Sequence, residues 1–332
     1  MDANVKTKRY ILISICSIVA ILAIITAISN YALNMACLPD NPRRNNLDMC
    51  MEEVFHRYPD MRQWRDSLLE NGLWRDTFIV ADDGLRRHAY ILTHKVDTII
   101  NNNDTTLFGP TGSTVVVHGY CDNSARMMRY YYLHYQMLHR NCLVPDLYGH
   151  GLSEGKNVRF GWLDRLDVAN IWLPMAHNLW PELNLVQHGL SMGGATTMMT
   201  SGEDLPSNVK AIVEDCGYTS VWDIFSDEMK ALFNLPDFPL LHTASVICKI
   251  RAGYNFREAS SLDQLAKAKV PILFLHGGED NFVHTDMIYK NYEACPTKKD
   301  MMIIPNAGHG EAYYYDPEGY TGKIFEFLGD IL

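Results

Sequence analysis

A chain of 332 residues with 47 % hydrophobic and 20 % charged residues can form one large α/β domain with attachments or two ordinary domains, and this composition excludes a disordered protein. The formal net charge of −10 disfavours nucleic acid as a partner, because phosphates would repel the surface and the sequence contains no basic stripe. The eight cysteines are scattered without a C-x-x-C pair, which disfavours a structural zinc site and a disulfide framework.

The N-terminal segment departs from the pattern of a soluble protein. Residues 10–29 form an uncharged apolar run of 20 residues, long enough at about 1.5 Å per residue to cross a hydrocarbon core of about 30 Å. Three basic residues precede the run, so residues 1–9 are predicted to be cytoplasmic and the rest of the chain to lie beyond the membrane. A cleaved signal peptide is the alternative, but the run exceeds the usual apolar length of about 7–15 residues. Residues 33–37 resemble a lipoprotein cleavage box only faintly, and we predict an uncleaved signal anchor.

Residues 30–76 are predicted to be a linker followed by amphipathic helices. The segment 38–46 is rich in Pro, Asn and Arg. Beyond it, residues 47–72 carry apolar side chains spaced by threes and fours: Met51, Val54, Phe55 and Tyr58, then Met61, Trp64 and Leu68. Such stripes are typical of helices that pack on a core, so we predict two helices against the main domain.

From residue 77 onward, short β-rich runs alternate with helical patterns. Strands are predicted at residues 77–81, 88–95, 113–118, 141–145, 183–188, 209–214, 270–276 and 300–304. Helices are predicted at 124–139, 162–179, 191–200, 286–293 and 320–328, and a polar loop at 101–106. The alternation predicts an α/β fold with a mostly parallel, doubly wound sheet. Within this domain, residues 77–332, the segment at about 218–265 contains no convincing buried strand and is predicted to be an inserted helical cap.

The sequence GLSMGG at residues 189–194 is the centre of the functional prediction. It follows a short apolar run and precedes a helix-like segment. Gly-x-Ser-x-Gly between a strand and a helix is a nucleophile elbow, in which the glycines permit a turn tight enough to expose the serine oxygen. Ser191 is therefore the candidate nucleophile.

Other predicted strand ends carry reactive residue types, and reactive groups of doubly wound sheets gather at these ends. The motifs are HGY at 118–120, PDLYGHGLSEG at 145–155, HGGEDNFV at 276–283 and AGH at 307–309. With these motifs the chain resembles the α/β-hydrolase superfamily over residues 77–330, and within it the serine aminopeptidase-like and monoacylglycerol-lipase-like branch, particularly bacterial membrane-anchored members. The resemblance implies an α/β-hydrolase fold and serine hydrolase chemistry.

A neutral serine is a poor nucleophile, so Ser191 needs a base, and His309 is the candidate. The imidazole in turn needs a carboxylate that orients it and stabilises its charged form. Asp280 is preferred because its spacing matches the acid loop of the family, and Glu279 remains the alternative.

The carbonyl oxygen that becomes negative in such a reaction requires hydrogen-bond donors. The backbone N–H groups of Tyr120 and Met192 are the predicted oxyanion hole. Tyr218, Phe233 and Phe238 are predicted to line the substrate pocket.

Four further polar residues lie close to these motifs. We interpret them as partners of loop backbone or as packed strand-end residues: His118, Asp146, His150 and His188.

No cofactor is predicted, because the sequence lacks the phosphate-binding motifs G-x-x-x-x-G-K-[ST] and G-x-G-x-x-G. Asp280 and His309 are also metal-ligand types, but no third ligand occurs at suitable spacing, and no metal is predicted.

Three functions remain at this stage. The preferred one is a membrane-anchored serine hydrolase that cleaves small or lipid-like carboxylic esters through an acyl-enzyme. The second is an aminopeptidase or amidase acting on exported peptides, in which Glu228 or Glu258 would bind the free amino terminus. The third is a non-catalytic binding protein tethered to the membrane. The oligomeric state is left open.

Overall fold

A computed structural model of the chain describes residues 3–101 and 104–332. The strands are β1 (Trp74–Val80), β2 (Arg86–Leu92), β3 (Asp97–Asn101), β4 (Asp104–Phe108), β5 (Gly112–Val117), β6 (Arg140–Pro145), β7 (Leu185–Leu190), β8 (Val209–Asp215), β9 (Ile272–Gly277) and β10 (Lys299–Ile304). The helices are α1 (Ala3–Cys37), α2 (Leu47–Arg57), α3 (Asp60–Glu70), α4 (Met128–Tyr132), α5 (Asp164–Asp167), α6 (Leu173–Leu179), α7 (Met192–Thr200), α8 (Val221–Phe233), α9 (Leu240–Ala252), α10 (Ser261–Leu265), α11 (Asp286–Ala294), α12 (Ala312–Tyr315) and α13 (Pro317–Gly329). A π-helical turn follows α4 at Leu133–Met137, and another joins α5 to α6 at Val168–Trp172.

An eight-stranded sheet in the order β1-β2-β6-β5-β7-β8-β9-β10 forms the centre of the fold. The pairs β1/β2 and β2/β6 are antiparallel, whereas every pair from β6 to β10 is parallel. The central strands β5, β6, β7 and β9 are buried along their whole length, as expected for strands covered on both faces. The predicted mostly parallel α/β sheet is confirmed.

Alternate side chains of the central strand β5 enter two separate apolar clusters. In β5, Val116 belongs to one apolar cluster, and Val115 and Val117 belong to the other. The first cluster is covered by α2, α3, α4 and α13, so the apolar stripes of the two predicted N-terminal helices pack on the sheet. The second is covered by α6, α7, α8 and α9.

The predicted polar loop at 101–106 is wrong at residues 101 and 104–106, which belong to strands, whereas residues 102 and 103 lie outside the described residues. Strands β3 and β4 pair in a separate antiparallel hairpin, in which Ile99 lies opposite Thr106 and Ile100 opposite Thr105. Both sides of the hairpin are rich in β-branched residues, which favour strands, whereas the sequence interpretation gave more weight to the consecutive asparagines between them.

Helix α1 is longer than the predicted span at 10–29. It continues without interruption to Cys37, and it is long and apolar enough to cross a membrane. Its C-terminal part packs on α9: Ser29 Oγ donates to Leu240 O at 3.0 Å, and Leu33 is buried. The residues after the apolar run therefore remain helical, because they dock on the rest of the protein instead of forming a linker.

Candidate active site

Ser191 occupies a sharp turn between β7 and α7. Its φ of 57° and ψ of −118° lie outside the usual regions for a residue with a side chain. The chain is crowded here: a Cβ at Gly189 would lie 2.1 Å from Gly193 O, and one at Gly193 would lie 2.2 Å from Val117 O. Both glycines are therefore required, and the turn holds the serine at the carboxyl edge of the sheet.

The structure brings the predicted nucleophile, base and acid together. Ser191 Oγ lies 2.7 Å from His309 Nε2, and His309 Nδ1 lies 2.7 Å from Asp280 Oδ2. Ser191 follows β7, Asp280 follows β9 and His309 follows β10, so the three side chains lie at the carboxyl ends of three parallel strands, at one edge of the sheet. One tautomer satisfies both contacts: Nδ1–H donates to the carboxylate, and Nε2 accepts from the serine hydroxyl.

The surroundings of Asp280 favour its ionised form. Its Oδ1 accepts from the backbone N–H groups of Phe282 and Val283 at 2.9 and 3.0 Å, and His276 Nε2 lies 3.2 Å from Oδ2. Burial opposes ionisation, but the hydrogen bonds from His276 and His309 outweigh it and hold the pKa of Asp280 well below its usual value. The alternative acid, Glu279, has an exposed side chain on the neighbouring residue.

The loop after β5 brings backbone donors close to the serine. His118 Nδ1–H donates to Gly119 O at 2.8 Å, and Nε2 accepts from Leu147 N–H at 2.9 Å, so this histidine is occupied with loop backbone. Gly119 approaches Ser191 so closely that a Cβ on it would lie 3.5 Å from the serine Cβ. The next residue, Tyr120, lines the cavity that contains Ser191. Met192 is the first residue of α7, where N–H groups have no partner within the helix.

A buried network of hydrogen bonds connects His134, His188, Tyr320 and Asp215 to the turn at Ser191. His188 Nε2–H donates to Tyr320 Oη at 3.0 Å, and His188 Nδ1 accepts from His134 Nε2–H at 2.9 Å. Tyr320 donates to Asp215 Oδ2 at 2.9 Å, and the carbonyl of Asp215 accepts from Ser191 N–H at 2.7 Å. Burial lowers the pKa of His188 to about 3, so this histidine stays neutral and acts as a structural link.

The cavity above Ser191 and His309 has a volume of about 290 Å³ and is strongly polar. Its charged lining residues are Arg43, Arg57, Arg126, Arg129, Asp122 and Glu311. Burial raises the pKa of Asp122 to about 7, so this carboxyl group is only partly ionised at neutral pH. The sequence interpretation missed the arginines, although the three-residue spacing of Arg126 and Arg129 would put both on one helical face.

The three residues predicted to line the substrate pocket do not line the cavity above Ser191, so the predicted pocket is corrected. Tyr218 is buried and donates to Phe160 O at 2.9 Å. Phe238 is 72 % exposed, and Phe233 lines a separate apolar cavity of about 460 Å³ between α1 and the cap helices. The physical reason is that the apolar side of the cap faces α1 instead of the serine.

One group of three metal-ligand side chains occurs in the described part of the chain. Atoms of Cys216, Asp280 and His309 lie within 4.8 Å of one another, so the third ligand type that was not apparent in the sequence is supplied by the end of β8. Two ligands of a tetrahedral zinc ion lie about 3.4 Å apart, farther than the 2.7 Å between the histidine and the aspartate. Burial also raises the pKa of the Cys216 thiol well above its usual value, which opposes metal binding. The geometry is that of a hydrogen-bonded pair beside a neutral thiol.

Comparisons with known proteins agree with the α/β fold. A model of the prolyl oligopeptidase family matches residues 164–331. Among curated proteins, uncharacterized protein YqkD of Bacillus subtilis is 27 % identical over 223 residues, which cover 67 % of this chain and 72 % of that protein. Human alpha/beta hydrolase domain-containing protein 17C is 24 % identical over 211 residues, which cover 64 % of this chain and 56 % of that protein.

A solved structure of similar fold is that of the esterase Pf2001 of Pyrococcus furiosus. It superimposes with a TM-score of 0.58 at 19 % identity and covers 78 % of this chain and 91 % of that chain. At this identity the likeness shows a shared fold.

Proposed function

The chain belongs to the prolyl oligopeptidase family, within the α/β-hydrolase superfamily, and on this premise we propose that it is a membrane-anchored serine hydrolase that cleaves carboxylic esters through an acyl-enzyme. The superfamily resemblance predicted from the motifs is confirmed, and the chain is a hydrolase. The nucleophile, the ester substrate and the anchor are the parts that we propose.

The observation that carries the proposal is the pair of 2.7 Å contacts that link Ser191, His309 and Asp280. In the proposed reaction, Ser191 Oγ attacks the ester carbonyl while its proton passes to His309 Nε2. Asp280 stabilises the resulting imidazolium. The N–H groups of Tyr120 and Met192 bind the oxygen that becomes negative.

Collapse of this intermediate breaks the bond to the alcohol, which leaves with the proton from His309. A water molecule then attacks the acyl-enzyme, again with His309 as base, and releases the carboxylic acid and the free Ser191 hydroxyl.

Replacement of the nucleophile tests the proposal. Ser191→Ala should lower the turnover of short p-nitrophenyl esters by at least about 10⁴-fold and abolish labelling by a fluorophosphonate probe. Ser201→Ala, at the far end of α7, is the matched control, because its hydroxyl donates only to Met198 O. Esterase activity or labelling that persists in Ser191→Ala would refute the assignment.

We also propose that α1 anchors the chain as an uncleaved span. Residues 1–9 would be cytoplasmic, and the domain at 77–332, with its cap at about 218–265, would lie on the extracytoplasmic side. The basic residues before the apolar run and the length of α1 support this topology. A membrane-impermeant fluorophosphonate probe should label Ser191 in intact cells. Labelling only after the cells are opened would contradict the orientation.

A peptidase or amidase is the second candidate, favoured by the family that matches the chain. The acids considered for binding an amino terminus do not line the serine cavity. Glu258 pairs with Lys249 at 2.9 Å on the surface, and Glu228 borders the apolar cavity beside α1. Turnover of aminoacyl amides above that of matched esters would establish this alternative.

A non-catalytic binding protein is the third candidate. It would be supported if the fluorophosphonate probe failed to label folded protein.

A further inference from the structure

The cavity above Ser191 is rich in arginine in a chain whose formal net charge is −10. We propose that the substrate of this hydrolase carries a carboxylate or phosphate group, which Arg57 and Arg129 bind while Ser191 attacks the ester. This inference rests on the proposed function, because it names the class of ester that the same site accepts. Arginine suits such a role, since its planar guanidinium matches both anions in shape and charge.

Arg129 forms no direct ion pair with a described carboxylate, and Asp122 and Asp215 act on its charge only from a greater distance. Its Nη2–H groups donate to Gly310 O at 2.8 Å and to Tyr130 Oη at 3.1 Å, and its buried Nε has no hydrogen-bond partner. Among the described residues, no carboxylate lies within 4.0 Å of this guanidinium. Because a partly buried charge without a partner is costly, an anion in the cavity would offset the cost.

Arg57 is the second arginine of the cavity without an ion pair to a described carboxylate. It is the last residue of α2, and its guanidinium carbon lies 3.7 Å from the centre of the Tyr314 ring. No carboxylate within the described ranges forms an ion pair with it. Stacking on the ring occupies the face of the guanidinium and holds it in position, while its N–H edge stays available for an anion.

The other two arginines of the cavity already form ion pairs with carboxylates. Arg43 Nε lies 3.0 Å from Glu53, and Arg126 contacts the same carboxylate and lies 3.6 Å from Asp122. Glu311 also lines the cavity, where its carboxylate accepts from a backbone N–H. The four arginines outnumber the carboxylates Glu53, Asp122 and Glu311, and Arg57 and Arg129 are the two arginines without a direct carboxylate contact.

The cavity continues beneath α2. A second cavity of about 760 Å³ shares Arg57, Arg126 and Arg129 with the serine cavity. The arginines therefore lie between the reacting centre and a larger space, so an anionic group on either the acyl or the alcohol side of an ester can reach them.

The anion could come from a soluble ester or from a lipid headgroup. Arg43, at the rim of the cavity, follows the end of α1 by six residues, a distance of at most about 20 Å even for extended chain. Because α1 extends eight residues, about 12 Å, beyond the apolar run, Arg43 lies at most about 32 Å from the end of that run in the proposed topology. Both sources share the same carboxylate or phosphate chemistry, and the experiment separates them.

The soluble arm uses pairs of esters in which one member carries an additional carboxylate. Mono-p-nitrophenyl succinate is compared with p-nitrophenyl butyrate, which tests the acyl side. The butyrate ester of 4-hydroxybenzoate is compared with phenyl butyrate, which tests the alcohol side. We expect the full-length protein to have a higher kcat/KM for the anionic member of at least one pair. Arg57→Gln and Arg129→Gln should each reduce that preference about tenfold, the size of a charge-assisted hydrogen bond.

The matched control is Arg257→Gln. Arg257 is exposed and stacks 3.6 Å from the centre of the Trp222 ring, so the substitution removes the same charge and the same kind of contact away from the cavity. Arg57→Lys keeps the charge and should restore part of the preference. Because Arg129 also contacts the loop of His309, the ratio between paired substrates is the readout, not the rate on one ester.

The lipid arm compares fatty acid release from phosphatidylglycerol, which carries a phosphate, with release from diacylglycerol, which carries none, in the same neutral detergent micelles. A preference for the anionic member in either arm that falls in Arg57→Gln and Arg129→Gln supports the inference and identifies the source of the anion. Equal or lower activity toward the anionic members in both arms, or a preference that neither variant reduces, overturns it. Absence of turnover on every ester, together with absence of probe labelling, would instead refute the proposed hydrolase function.

Discussion

Replacing Asp280 with asparagine is the sharpest test of the proton relay. Two backbone N–H groups donate to Oδ1, so the amide oxygen of the asparagine must stay there, and its NH₂ group must face His309 and His276. His276 Nε2–H already donates to Val283 O at 2.9 Å and cannot accept. His309 would accept at Nδ1 only in the tautomer that carries its proton on Nε2, and that tautomer cannot take the proton of Ser191.

The expected loss in kcat is on the order of 10⁴-fold, equivalent to about 5.5 kcal/mol of transition-state stabilisation. The assay is the steady-state hydrolysis of p-nitrophenyl butyrate, with circular dichroism to verify folding. Glu279→Gln is the matched control, because it removes the exposed neighbouring carboxylate and should leave kcat within about threefold of the parent. If Asp280→Asn retained more than about a tenth of the activity, or if Glu279→Gln lost it, the relay described above would be refuted.

Three further predictions concern the elbow, the cavity and the anchor. Gly193→Ala puts a Cβ 2.2 Å from a carbonyl oxygen of β5 and should lower the thermal midpoint of unfolding or prevent folding. In the control Gly322→Ala, the new Cβ has no atom within 4 Å, so the midpoint should rise slightly. Equal midpoints for the two variants would contradict the crowding at Gly193. Burial raises the pKa of Asp122 to about 7, so its negative charge appears as pH rises through 7, and the preference for anionic esters should fall over that range but stay flat in Asp122→Asn. Deletion of residues 1–27 should release a folded, active protein from the membrane fraction, and a 1–27 deletion that stays bound to the membrane would refute the anchor. Deletion of residues 1–37 should also lower the stability of the protein, because it removes the segment that docks on the cap.

Local patterns predicted the parts of the site that follow strand ends. Ser191, Asp280 and His309 each occur in a short motif directly after an apolar run, and the parallel sheet brings such ends to one edge. The same rule would have found Cys216, which follows β8, but a cysteine beside an apolar strand is more often a packed side chain.

Long-range docking could not be predicted from the same patterns. Arg57 ends an amphipathic helix whose apolar stripe was recognised, but nothing in that stripe indicates that the helix lies over the serine. Phe233 belongs to an apolar cap segment, and composition alone does not distinguish packing against α1 from packing over a substrate. Both outcomes depend on contacts between segments that lie far apart in the sequence, which local periodicity does not encode.

The docking of α1 on the cap has a mechanical consequence. The helix runs without a break from its apolar part to α9, where Arg251 donates to Asn30 and Asn34 at 3.0 and 2.8 Å. If the helix spans a bilayer as proposed, a change in the tilt of the helix must also change the orientation of the cap on which it docks. A thinner or thicker membrane, which changes the tilt of a spanning helix, would then reorient the cap and, through the hydrogen bond from Tyr120 Oη to Ala36 O, act on the loop beside Ser191.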